Sequence, residues 1–583
     1  MAMLMRRRRT LRTELIGRPT AIEARIALLG GSTTSELRDF LELFLLDSGI
    51  RPVFYESHYN KYEEDILVDD RALRSFAPQI AIVHTTWVNA RLPDPFASQA
   101  DVDAQLSAEL TRFEAIWTIL TGDLGCTVIQ NNFDTPLERS LGSLDASRCD
   151  GRASFLSRLN IEFAQASQRM PQLIINDIAH QCALVGLDRW HEKRHWFSYK
   201  LAVSPTGTVT LAHNVAAIVR AVFGKTRKCL ILDLDNTLWG GVIGDDGLSS
   251  LRLGNETPEA EAFTAIQRYC LELKRRGVLL AVCSKNDPKI AQEGFSHPDS
   301  ILRLEDFSAF KAGWGPKHEA IIEISHELNI GLDSLVFMDD NPVERELVAA
   351  QLPMVAVPNI GSDPSCYVEI LDRQLYFEPL DISTEDIKRV EYYASNTQRN
   401  LIQTSYGNYG EFLDSLDMTA EIHPFVSIYM DRIAQLTNKT NQFNLTTRRY
   451  TLGELDAMRC DPHYLTLYGR LADKFGDYGL VTIAVGRIEK DELHMELWLM
   501  SCRVLKRDLE IAVLDELVVQ AQARGLRWIL GTYLPTPRNG LVADHFENLG
   551  FELLCRNEQV SKWRLDVHSY TPKNTHIKEV KHG

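Results

Sequence analysis

One short stretch in the middle of the chain constrains the fold more than any other. The apolar run 228–232 ends directly in Asp233, and Asp235 and Thr237 follow. A short apolar run that ends in polar residues is typical of a buried strand, and a threonine can cap the helix after it. Two buried carboxylates so close together normally need a cation between them, because each is costly to bury alone. A solvated acidic turn is the alternative interpretation of this motif taken alone.

Three later segments extend this pattern in the order that an open parallel sheet requires. The apolar runs 277–283 and 334–338 predict two further strands, and a long amphipathic helix is predicted to begin at Lys317. Because the carboxyl ends of parallel strands lie at one edge of such a sheet, the residues that follow the strands should converge there. Those residues are Ser284, which can bond a phosphoryl oxygen, Lys317, which can neutralise charge, and the acids Asp339 and Asp340.

This set of motifs resembles the haloacid-dehalogenase (HAD) superfamily, whose members transfer phosphoryl groups through an aspartyl-phosphate. Asp233 is the predicted nucleophile, because a carboxylate can split phosphoryl transfer into two easier steps. Asp235 is predicted to protonate the leaving oxygen and then to activate water. Asn236 and Thr237, which complete the first motif, are expected to help bind the phosphate.

A magnesium ion (Mg²⁺) is expected at this site, because hard carboxylate and carbonyl oxygens are the ligands that it prefers. The predicted ligands are the carboxylate of Asp233, the backbone carbonyl of Asp235 and Asp339. Asp340 and Glu344 are further candidates beside the ion. The gaps between the motifs are too short for a cap domain. An uncapped core of this kind should accept a large partner or a lid from another domain.

Length and composition limit the remaining possibilities. A chain of 583 residues with ordinary apolar content should fold as about three to four domains. Its net charge of −16 argues against non-specific nucleic-acid binding, and no apolar run is long enough to cross a bilayer. The ten cysteines are scattered, which is typical of a reducing cytoplasm and argues against a zinc site. The basic run 6–9, with no apolar run after it, predicts a disordered tail rather than a signal peptide.

The N-terminal third is predicted to be another open α/β domain. A strand-like run at 25–29 leads into a Gly-Gly-Ser turn that ends at Ser32, and Asp188 and His191 lie three positions apart further on. This arrangement resembles SGNH-type esterases, which implies Ser32 as nucleophile, with His191 and Asp188 as base and orienter. In the alternative interpretation Ser32 caps a helix and His191 packs beside tryptophans, so that the domain is a scaffold. Asn89 and Asn131 are the candidates for an oxyanion site.

The C-terminal part has a different pattern. The runs 477–485 and 492–500 alternate as strands do, and a long helix is predicted to follow shortly after. This order resembles the GNAT acyltransferase fold, in which amides at the helix start bind the pyrophosphate of coenzyme A. Here Arg503 and Lys506 stand where the glycines of that fold are expected. A phosphopantetheine arm on a carrier protein needs fewer of those contacts.

Cys502 is the predicted thiol nucleophile. It lies beside the basic residues of this segment, including Arg507, and near a predicted helix N-terminus, and both features lower the pKa of a thiol. A buried cysteine that serves only for packing is the alternative. Cys283 is a second candidate, although strand alternation turns it away from the face of Ser284.

An SGNH-like, a HAD-like and a GNAT-like part in one chain resemble the FkbH-like family of polyketide biosynthesis. The resemblance covers 26–563, and its most specific segments are 232–247, 339–346, 438–444 and 501–507. It implies a glyceryl transferase/phosphatase that takes D-1,3-bisphosphoglycerate, removes phosphate, holds the glyceryl group as an enzyme thioester and delivers it to an acyl carrier protein. A plain Mg²⁺-dependent HAD phosphatase with flanking interaction domains is the alternative. A coenzyme A acyltransferase with a degenerate HAD core is a third possibility.

The predicted fold class is therefore α/β, with an SGNH/flavodoxin-like N-terminal domain, an uncapped HAD Rossmannoid core and a GNAT-like α+β domain. An acidic carrier protein needs a local basic surface, for which Arg448 and Arg449 are candidates beside the basic residues of the Cys502 segment. The predicted divisions are a tail at 1–22, the three domains at 23–205, 227–380 and 381–565 with a connecting helix at 206–226, and a second tail at 566–583.

Overall fold

The computed structural model describes residues 2–18, 20, 22–382, 406, 408–440, 443–536 and 539–580. The chain divides into two compact units, of which the first consists of 1–223 with 426–438 and 448–461, and the second of 224–425, 439–447 and 462–583. One β-sheet belongs to the first unit and two belong to the second. The predicted multi-domain α/β architecture is confirmed in this coarse form. No helix in the described ranges is long and apolar enough to span a bilayer.

The sheet of the first unit is parallel and has the strand order β2-β1-β3-β4-β5, which is the flavodoxin-like order. Every residue of the middle strand β3 is buried, as expected for a strand that helices cover on both faces. The strands are β1 Ile22–Gly30, β2 Ile50–Glu56, β3 Ile80–His84, β4 Thr127–Asn131 and β5 Leu173–Asn176. The helices are α1 Ala2–Ile16, α2 Ser35–Asp47, α3 Tyr62–Leu67, α4 Arg71–Phe76, α5 Gln99–Thr118, α6 Arg152–Arg169, α7 Ile178–Val185, α8 Leu187–Trp190, α9 Lys193–Tyr199 and α10 Pro205–Val222.

The prediction of a disordered tail over 1–22 is wrong for residues 2–16, which form α1. Leu15 is buried, and Leu4 and Leu11 pack against the same apolar core, so one face of the basic helix is anchored. Arg12 adds an ion pair to Glu42 of α2 at 2.6 Å. The predicted connecting helix is also part of this unit, because α10 buries its apolar face in the same core.

The first sheet of the second unit is parallel, with the order β8-β7-β6-β9. Its strands confirm the three that the sequence predicts and add one at the edge. They are β6 Cys229–Leu232, β7 Leu279–Ser284, β8 Ala309–Ala312 and β9 Leu335–Met338. The helices around it are α11 Ile243–Asp246, α12 Pro258–Arg275, α13 Pro288–Glu293, α14 Lys317–Glu327, α15 Pro342–Gln351 and α16 Tyr367–Asp372.

The second sheet of this unit has eight strands in the order β15-β16-β14-β13-β12-β11-β10-β17. The predicted strands around 477–485 and 492–500 are confirmed as β12 and β13. The strands are β10 Met418–His423, β11 Tyr464–Asp473, β12 Gly476–Glu489, β13 Glu492–Met500, β14 Trp528–Tyr533, β15 Glu552–Arg556, β16 Ser561–Asp566 and β17 Ile577–Glu579. The helices in this part of the sequence are α17 Tyr409–Ser415, α18 Met430–Lys439, α19 Leu452–Cys460, α20 Leu509–Ala523 and α21 His545–Asn548.

Two predicted boundaries in this part of the chain are wrong. The predicted tail at 566–583 contains β17, which pairs in parallel with β10. Most of α18 and all of α19 fall in the first unit, although the sequence places them in the domain 381–565. Within that unit Arg25 Nη2 lies 3.7 Å from Glu454 Oε1. Residues 383–405 of the predicted domain lie outside the described residues.

The eight-stranded sheet has a split that the chain itself fills. Strands β13 and β14 pair only between Glu492–His494 and Trp528–Leu530. Beyond these residues, the segment 443–446 lies in the gap: Met500 N donates to the Phe443 carbonyl at 3.0 Å, and Leu534 N donates to the Leu445 carbonyl at 2.9 Å. Backbone groups of β13 and of the residue after β14 thus find hydrogen-bond partners in the protein's own chain.

Candidate functional site

The carboxyl ends of three neighbouring strands bring the predicted site residues together. β6 lies between β7 and β9, so Asp233 and Asp339, which follow β6 and β9, lie at the same edge of the sheet as Ser284, the last residue of β7. Lys317 is the first residue of α14, after the capping position at Pro316. The sequence therefore places one lysine and several acids at a single edge, as predicted.

Asp233, Asp339 and Asp340 form a compact carboxylate cluster. One oxygen from each lies within 4.8 Å of the other two. Lys317 Nζ lies 3.0 Å from Asp233 Oδ1 and 2.6 Å from Asp339 Oδ2. Lys317 and Asp339 are almost completely buried, so these charges interact through protein rather than through water.

The cluster has an excess of negative charge, because three carboxylates lie beside one ammonium group. Burial, and then the charge of Asp233, raise the pKa of Asp339 to about 6. Burial and Asp233 likewise raise the pKa of Asp340. Burial lowers the pKa of Lys317, but the charges of Asp233 and Asp339 raise it by more. The pKa therefore lies above its ordinary value, and the amine stays charged. One ammonium group beside three carboxylates leaves a set of hard oxygen ligands that fits a divalent cation such as Mg²⁺.

The carboxylate of Asp235 lies apart from this cluster and is held by three donors. Trp239 Nε1 and Ile243 N donate to Oδ1 at 2.9 and 3.1 Å, and Asn286 Nδ2 donates to Oδ2 at 3.0 Å. Burial raises the pKa of Asp235 in spite of these bonds. A raised pKa favours a carboxyl group that can supply a proton, as a general acid must. The role of its backbone carbonyl in metal binding stays a prediction.

Asn236 and Thr237 shape the loop between the two aspartates and the following segment. Asn236 adopts φ 56°, and its Oδ1 accepts a hydrogen bond from Gly241 N at 3.0 Å. Thr237 is fully buried, and its hydroxyl accepts a hydrogen bond from Asp340 N at 3.1 Å. The hydroxyl therefore links the ends of β6 and β9, and the expected contacts of both residues with phosphate stay predictions.

The two neighbouring residues at the end of β7 differ in chemistry. Ser284 is buried as the last residue of the strand, and its carbonyl accepts a hydrogen bond from Gly313 N. The thiol of Cys283 lies 3.7 Å from the Lys317 carbonyl, and burial raises its pKa to about 12. A thiol that stays protonated is a poor nucleophile, so this geometry disfavours Cys283 as the carrier of an acyl group.

The structure adds residues that sequence reasoning missed. Trp239 and Asn286, which bond Asp235, follow strand ends within loops, where no periodic pattern indicates side-chain direction. Lys285 Nζ lies 2.5 Å from Glu344 Oε1, so Glu344 has an ion-pair partner outside the cluster of three aspartates. The sequence signals that could have indicated them are the position of Trp239 four residues after Asp235 and the positions of Lys285 and Asn286 directly after Ser284.

The segment around Cys502 precedes α20 in the eight-stranded part of the molecule. Cys502 begins a short 3-10 turn that ends at Val504, and its side chain lies outside the described residues. Arg503 Nε donates to Ser501 Oγ at 3.2 Å, and Lys506 is exposed. Arg507 is buried instead, with its guanidinium 5.4 Å from the centre of the Phe412 ring. The prediction that Arg507 contributes to an exposed basic surface is therefore wrong.

The second predicted basic pair is divided between solvent and the protein interior. Arg448 is exposed, whereas Arg449 is partly buried and donates to the Thr437 carbonyl. Arg448 Nη1 lies 3.4 Å from the hydroxyl of Tyr450. Of the pair, Arg448 is the better placed for a partner, and docking by either residue stays a prediction.

The predicted pairing of Asp188 with His191 is wrong. His191 Nε2 lies 2.9 Å from the Thr135 carbonyl and 3.9 Å from Asp134 Oδ2, and Asp188 is exposed. The reason is the shape of α8, a single helical turn that buries Trp190, whose Nε1 donates to Asp134 Oδ2 at 2.8 Å. The structure therefore gives no support to a Ser-His-Asp triad at these positions.

The other esterase candidates are bound into the N-terminal fold. Ser32 is buried, and α2 is capped at Thr34, so the alternative role of Ser32 as a helix cap is also wrong. Asn89 Nδ2 donates to the Gly31 carbonyl at 3.0 Å. Asn131 Nδ2 lies 2.9 Å from His84 Nδ1. The amide nitrogens of Asn89 and Asn131 thus both have partners within the fold, and in this conformation neither is free to bind an oxyanion.

Many solved structures are similar to parts of the chain, and three of them are described below. One is the N-terminal part of a Bacteroides fragilis protein that contains a phosphatase domain, in complex with Mg. It is 29% identical, covers 64% of this chain and 98% of its own, and superimposes with a TM-score of 0.59. A phosphatase-domain structure thus resembles this chain across most of its length. No family model and no curated protein matches the sequence.

The other two structures are acetyltransferases. They are the ribosomal-protein-S18-alanine N-acetyltransferase of Escherichia coli and the PaiA N-acetyltransferase of Thermoplasma acidophilum in complex with coenzyme A. The first is 12% identical and covers 27% of this chain and 99% of its own; the second is 11% identical and covers 25% and 99%. Both TM-scores are 0.21, which is too low to carry an argument about this chain.

Proposed function

We propose that the chain is a Mg²⁺-dependent phosphatase that works through an aspartyl-phosphate on Asp233, and that it combines this activity with transfer of a glyceryl group. The observation that carries the phosphatase half is the buried cluster of Asp233, Asp339 and Asp340 with Lys317 at the ends of β6 and β9. The similar phosphatase-domain structure was solved with Mg, which supports the same ion here.

The residues of the cluster give the steps. Asp233 attacks the phosphorus of a phosphomonoester, the bond from phosphorus to the ester oxygen breaks, and Asp235 gives its proton to that oxygen. Water then attacks the phosphorus of the aspartyl-phosphate while Asp235 takes a proton from it. The bond to Asp233 breaks, which releases inorganic phosphate and restores both aspartates. Lys317 offsets negative charge on the nucleophile and on the phosphoryl oxygens throughout.

Asp233 and Asp339, with Asp340 beside them, would hold the metal ion. When bound, Mg²⁺ supplies charge stabilisation to the phosphoryl oxygens during transfer. The donor set fits this ion because all its atoms are oxygens and because Lys317 alone leaves the three carboxylates uncompensated.

The transfer half of the proposal rests on the resemblance to the FkbH-like family. The thiolate of Cys502 attacks the carbonyl carbon of D-1,3-bisphosphoglycerate, and phosphate leaves with the electrons of the carbon–oxygen bond, which forms a thioester. The thiolate of the phosphopantetheine arm of an acyl carrier protein then attacks the same carbon and displaces Cys502. The remaining 3-phosphate is removed at Asp233. Polyketide biosynthesis is the setting that this resemblance predicts, while the charge, the hydropathy and the scattered cysteines of the sequence predict a cytoplasmic protein with no nucleic-acid or membrane partner.

A plain phosphatase with flanking interaction domains is the second candidate. The observation that favours it is the segment 443–446, which fills the gap between β13 and β14 with backbone hydrogen bonds. A ligand that extends along either strand at this point must first displace that segment. The same observation weighs against a direct acyltransferase that uses free coenzyme A.

The experiment that separates these candidates is to incubate the protein with Mg²⁺ and freshly generated D-1,3-bisphosphoglycerate and to measure intact and peptide masses. The proposal predicts a hydroxylamine-labile glyceryl adduct that is absent in Cys502→Ala and still phosphorylated in Asp233→Asn. Phosphate release without any adduct contradicts the transferase half and leaves the plain phosphatase. Cys283→Ala is the matched control, which should retain the adduct because the Cys283 thiol stays protonated.

A further inference from the structure

The hydrogen bonds of Asp235 use its two oxygens unequally. Oδ1 accepts from both Trp239 Nε1 and Ile243 N, whereas Oδ2 accepts only from Asn286 Nδ2. A carboxylate oxygen offers about two lone-pair positions, so Oδ1 is fully used and Oδ2 keeps one position open. A proton on Asp235 must therefore sit on Oδ2 if all three hydrogen bonds are retained.

Both side-chain donors are held rigidly by their own surroundings. Trp239 is fully buried, and its ring stacks edge-on against Phe295 with the ring centres 5.3 Å apart. Gly294 lies so close to the indole that a Cβ there would be 2.6 Å from Trp239 Cη2. The indole N–H is therefore fixed in direction as well as in position.

The orientation of the Asn286 amide is also fixed. Asn286 is buried, and its Oδ1 accepts a hydrogen bond from Asp287 N at 2.8 Å. Because the oxygen of the amide is engaged there, the nitrogen is the end that faces Asp235. The turn after β7 and the loop after β6 thus hold one carboxylate from two sides.

We propose that Trp239 and Asn286 are positioning residues that make Oδ2 of Asp235 the oxygen that carries the transferred proton. This inference rests on the proposed phosphatase function. In the first step the phosphorus–oxygen ester bond breaks, its electron pair stays on the leaving oxygen, and the proton of Oδ2 joins that oxygen. In the second step Oδ2 takes a proton from the attacking water. Trp239 and Asn286 stay outside the reacting atoms and act only through Asp235.

This role predicts an effect that depends on the leaving group. An alkoxide is a poor leaving group and needs the proton during bond cleavage, whereas a nitrophenolate leaves readily without it. A misdirected Asp235 should therefore slow alkyl phosphates far more than aryl phosphates. General loss of packing around the site should slow both classes equally.

The test compares kcat/KM for glycerol phosphate and for p-nitrophenyl phosphate at saturating Mg²⁺ in the full chain. Trp239→Phe keeps an aromatic ring and removes the N–H, and Asn286→Ala removes the second side-chain donor. We expect each variant to lose about 10- to 100-fold on the alkyl substrate and less than about threefold on the aryl substrate, since general acid catalysis is worth roughly 10²- to 10⁴-fold in all. Trp498→Phe is the matched control: it removes the indole N–H of Trp498 in β13, which has no hydrogen-bond partner among the described residues, and should change neither rate.

The possible outcomes separate this inference from the function on which it rests. Equal losses on both substrates, or no loss on the alkyl substrate, overturn the positioning role. If the wild-type protein hydrolyses neither substrate, the proposed phosphatase function is contradicted instead. If Trp239→Phe fails to fold in a thermal unfolding measurement, Asn286→Ala decides the question, because it leaves the packing of Trp239 against Gly294 in place.

Discussion

Two parallel sheets in this chain carry polar side chains at their carboxyl edges, and the two sets differ in how they are satisfied. At the edge of the N-terminal sheet the side chains bond to one another: Gln181 Nε2 donates to Asn176, Asn176 donates to Asn131, and Asn131 contacts His84. At the edge that β6 and β9 form, three carboxylates lie beside a single ammonium group.

This difference shows which polar residues at the ends of strands indicate a reactive site. The N-terminal groups are mostly neutral amides that bond to one another, and such bonds stabilise a fold. The carboxylates of the other edge repel one another, and each must be compensated by a cation or a proton. Uncompensated charge at a strand end, rather than polarity alone, is therefore the observation that indicates chemistry.

The largest expected effect is the loss of phosphatase activity when the nucleophile is replaced at the charged edge, which is the end of β6 and β9 with Asp233, Asp339 and Asp340. Asp233→Asn should lower phosphatase activity by about 10³-fold or more, because the amide cannot form the covalent intermediate. Phosphate release with saturating Mg²⁺ measures this effect. Asp134→Asn at the neutral edge is the matched control and should keep the activity, since Asp134 bonds Trp87 N and Trp190 Nε1 only within the first unit. Similar losses in both variants would remove the distinction between the edges.

The metal dependence comes next. Mg²⁺ should raise the midpoint of thermal unfolding of the wild-type protein, because an ion that binds only the native state stabilises it by about 2.7 kcal/mol at 100 times its Kd. Asp339→Asn should abolish this shift. Glu344→Gln should keep the shift, since Glu344 pairs with Lys285. A shift of equal size in the wild type and in Asp339→Asn contradicts the metal site.

An effect on stability but not on activity is expected for Asp134, a carboxylate of the first unit that already has two hydrogen-bond donors. Asp134→Ala leaves the donors Trp87 N and Trp190 Nε1 buried without an acceptor, which should lower the free energy of unfolding by about 2–4 kcal/mol. Asp134→Asn keeps one acceptor and should cost less. Denaturant unfolding followed by tryptophan fluorescence measures both losses. Phosphatase activity at a temperature where the variants are folded should remain at the wild-type level.

The last effect concerns the dependence of stability on pH. Burial lowers the pKa of His84 to about 4, from an ordinary value near 6.5. Between these values the unfolded chain binds a proton that the native state does not, so the free energy of unfolding falls as the pH falls from 6.5 to 4, by up to about 1.4 kcal/mol per pH unit. His84→Gln should make the free energy of unfolding depend less steeply on pH, because it removes the one proton that His84 contributes to this slope. An unchanged slope would show that His84 is not held neutral.

The sequence predicts the charged edge well because the physics there is local. Each strand is short and apolar, and the first polar residue marks its end. Because the strands are parallel neighbours, Asp233, Ser284 and Asp339 lie at one edge of the sheet. The carboxylate cluster thus follows from three strand ends and one helix start. The expected strands β12 and β13 of the second sheet follow from alternation in the same way.

The errors occur where tertiary contacts decide. The spacing of Asp188 and His191 matches a catalytic motif, but the single turn of α8 exposes the first residue and turns the second to Thr135. The run of arginines in α1 leads to a prediction of disorder, although apolar residues such as Leu15 anchor the helix in the core. Trp239 and Asn286 lie in loops, whose side-chain directions no periodicity fixes.

The most direct test of the account is to trap the aspartyl-phosphate itself. A phosphomonoester substrate is mixed with the protein and Mg²⁺, the reaction is quenched rapidly in acid, and the peptide that contains Asp233 is weighed. The account predicts one added phosphoryl group on this peptide that hydroxylamine removes and that is absent in Asp233→Asn or without Mg²⁺. Turnover of the substrate with no phosphorylated Asp233 peptide, or with the phosphoryl group on another residue, would contradict it.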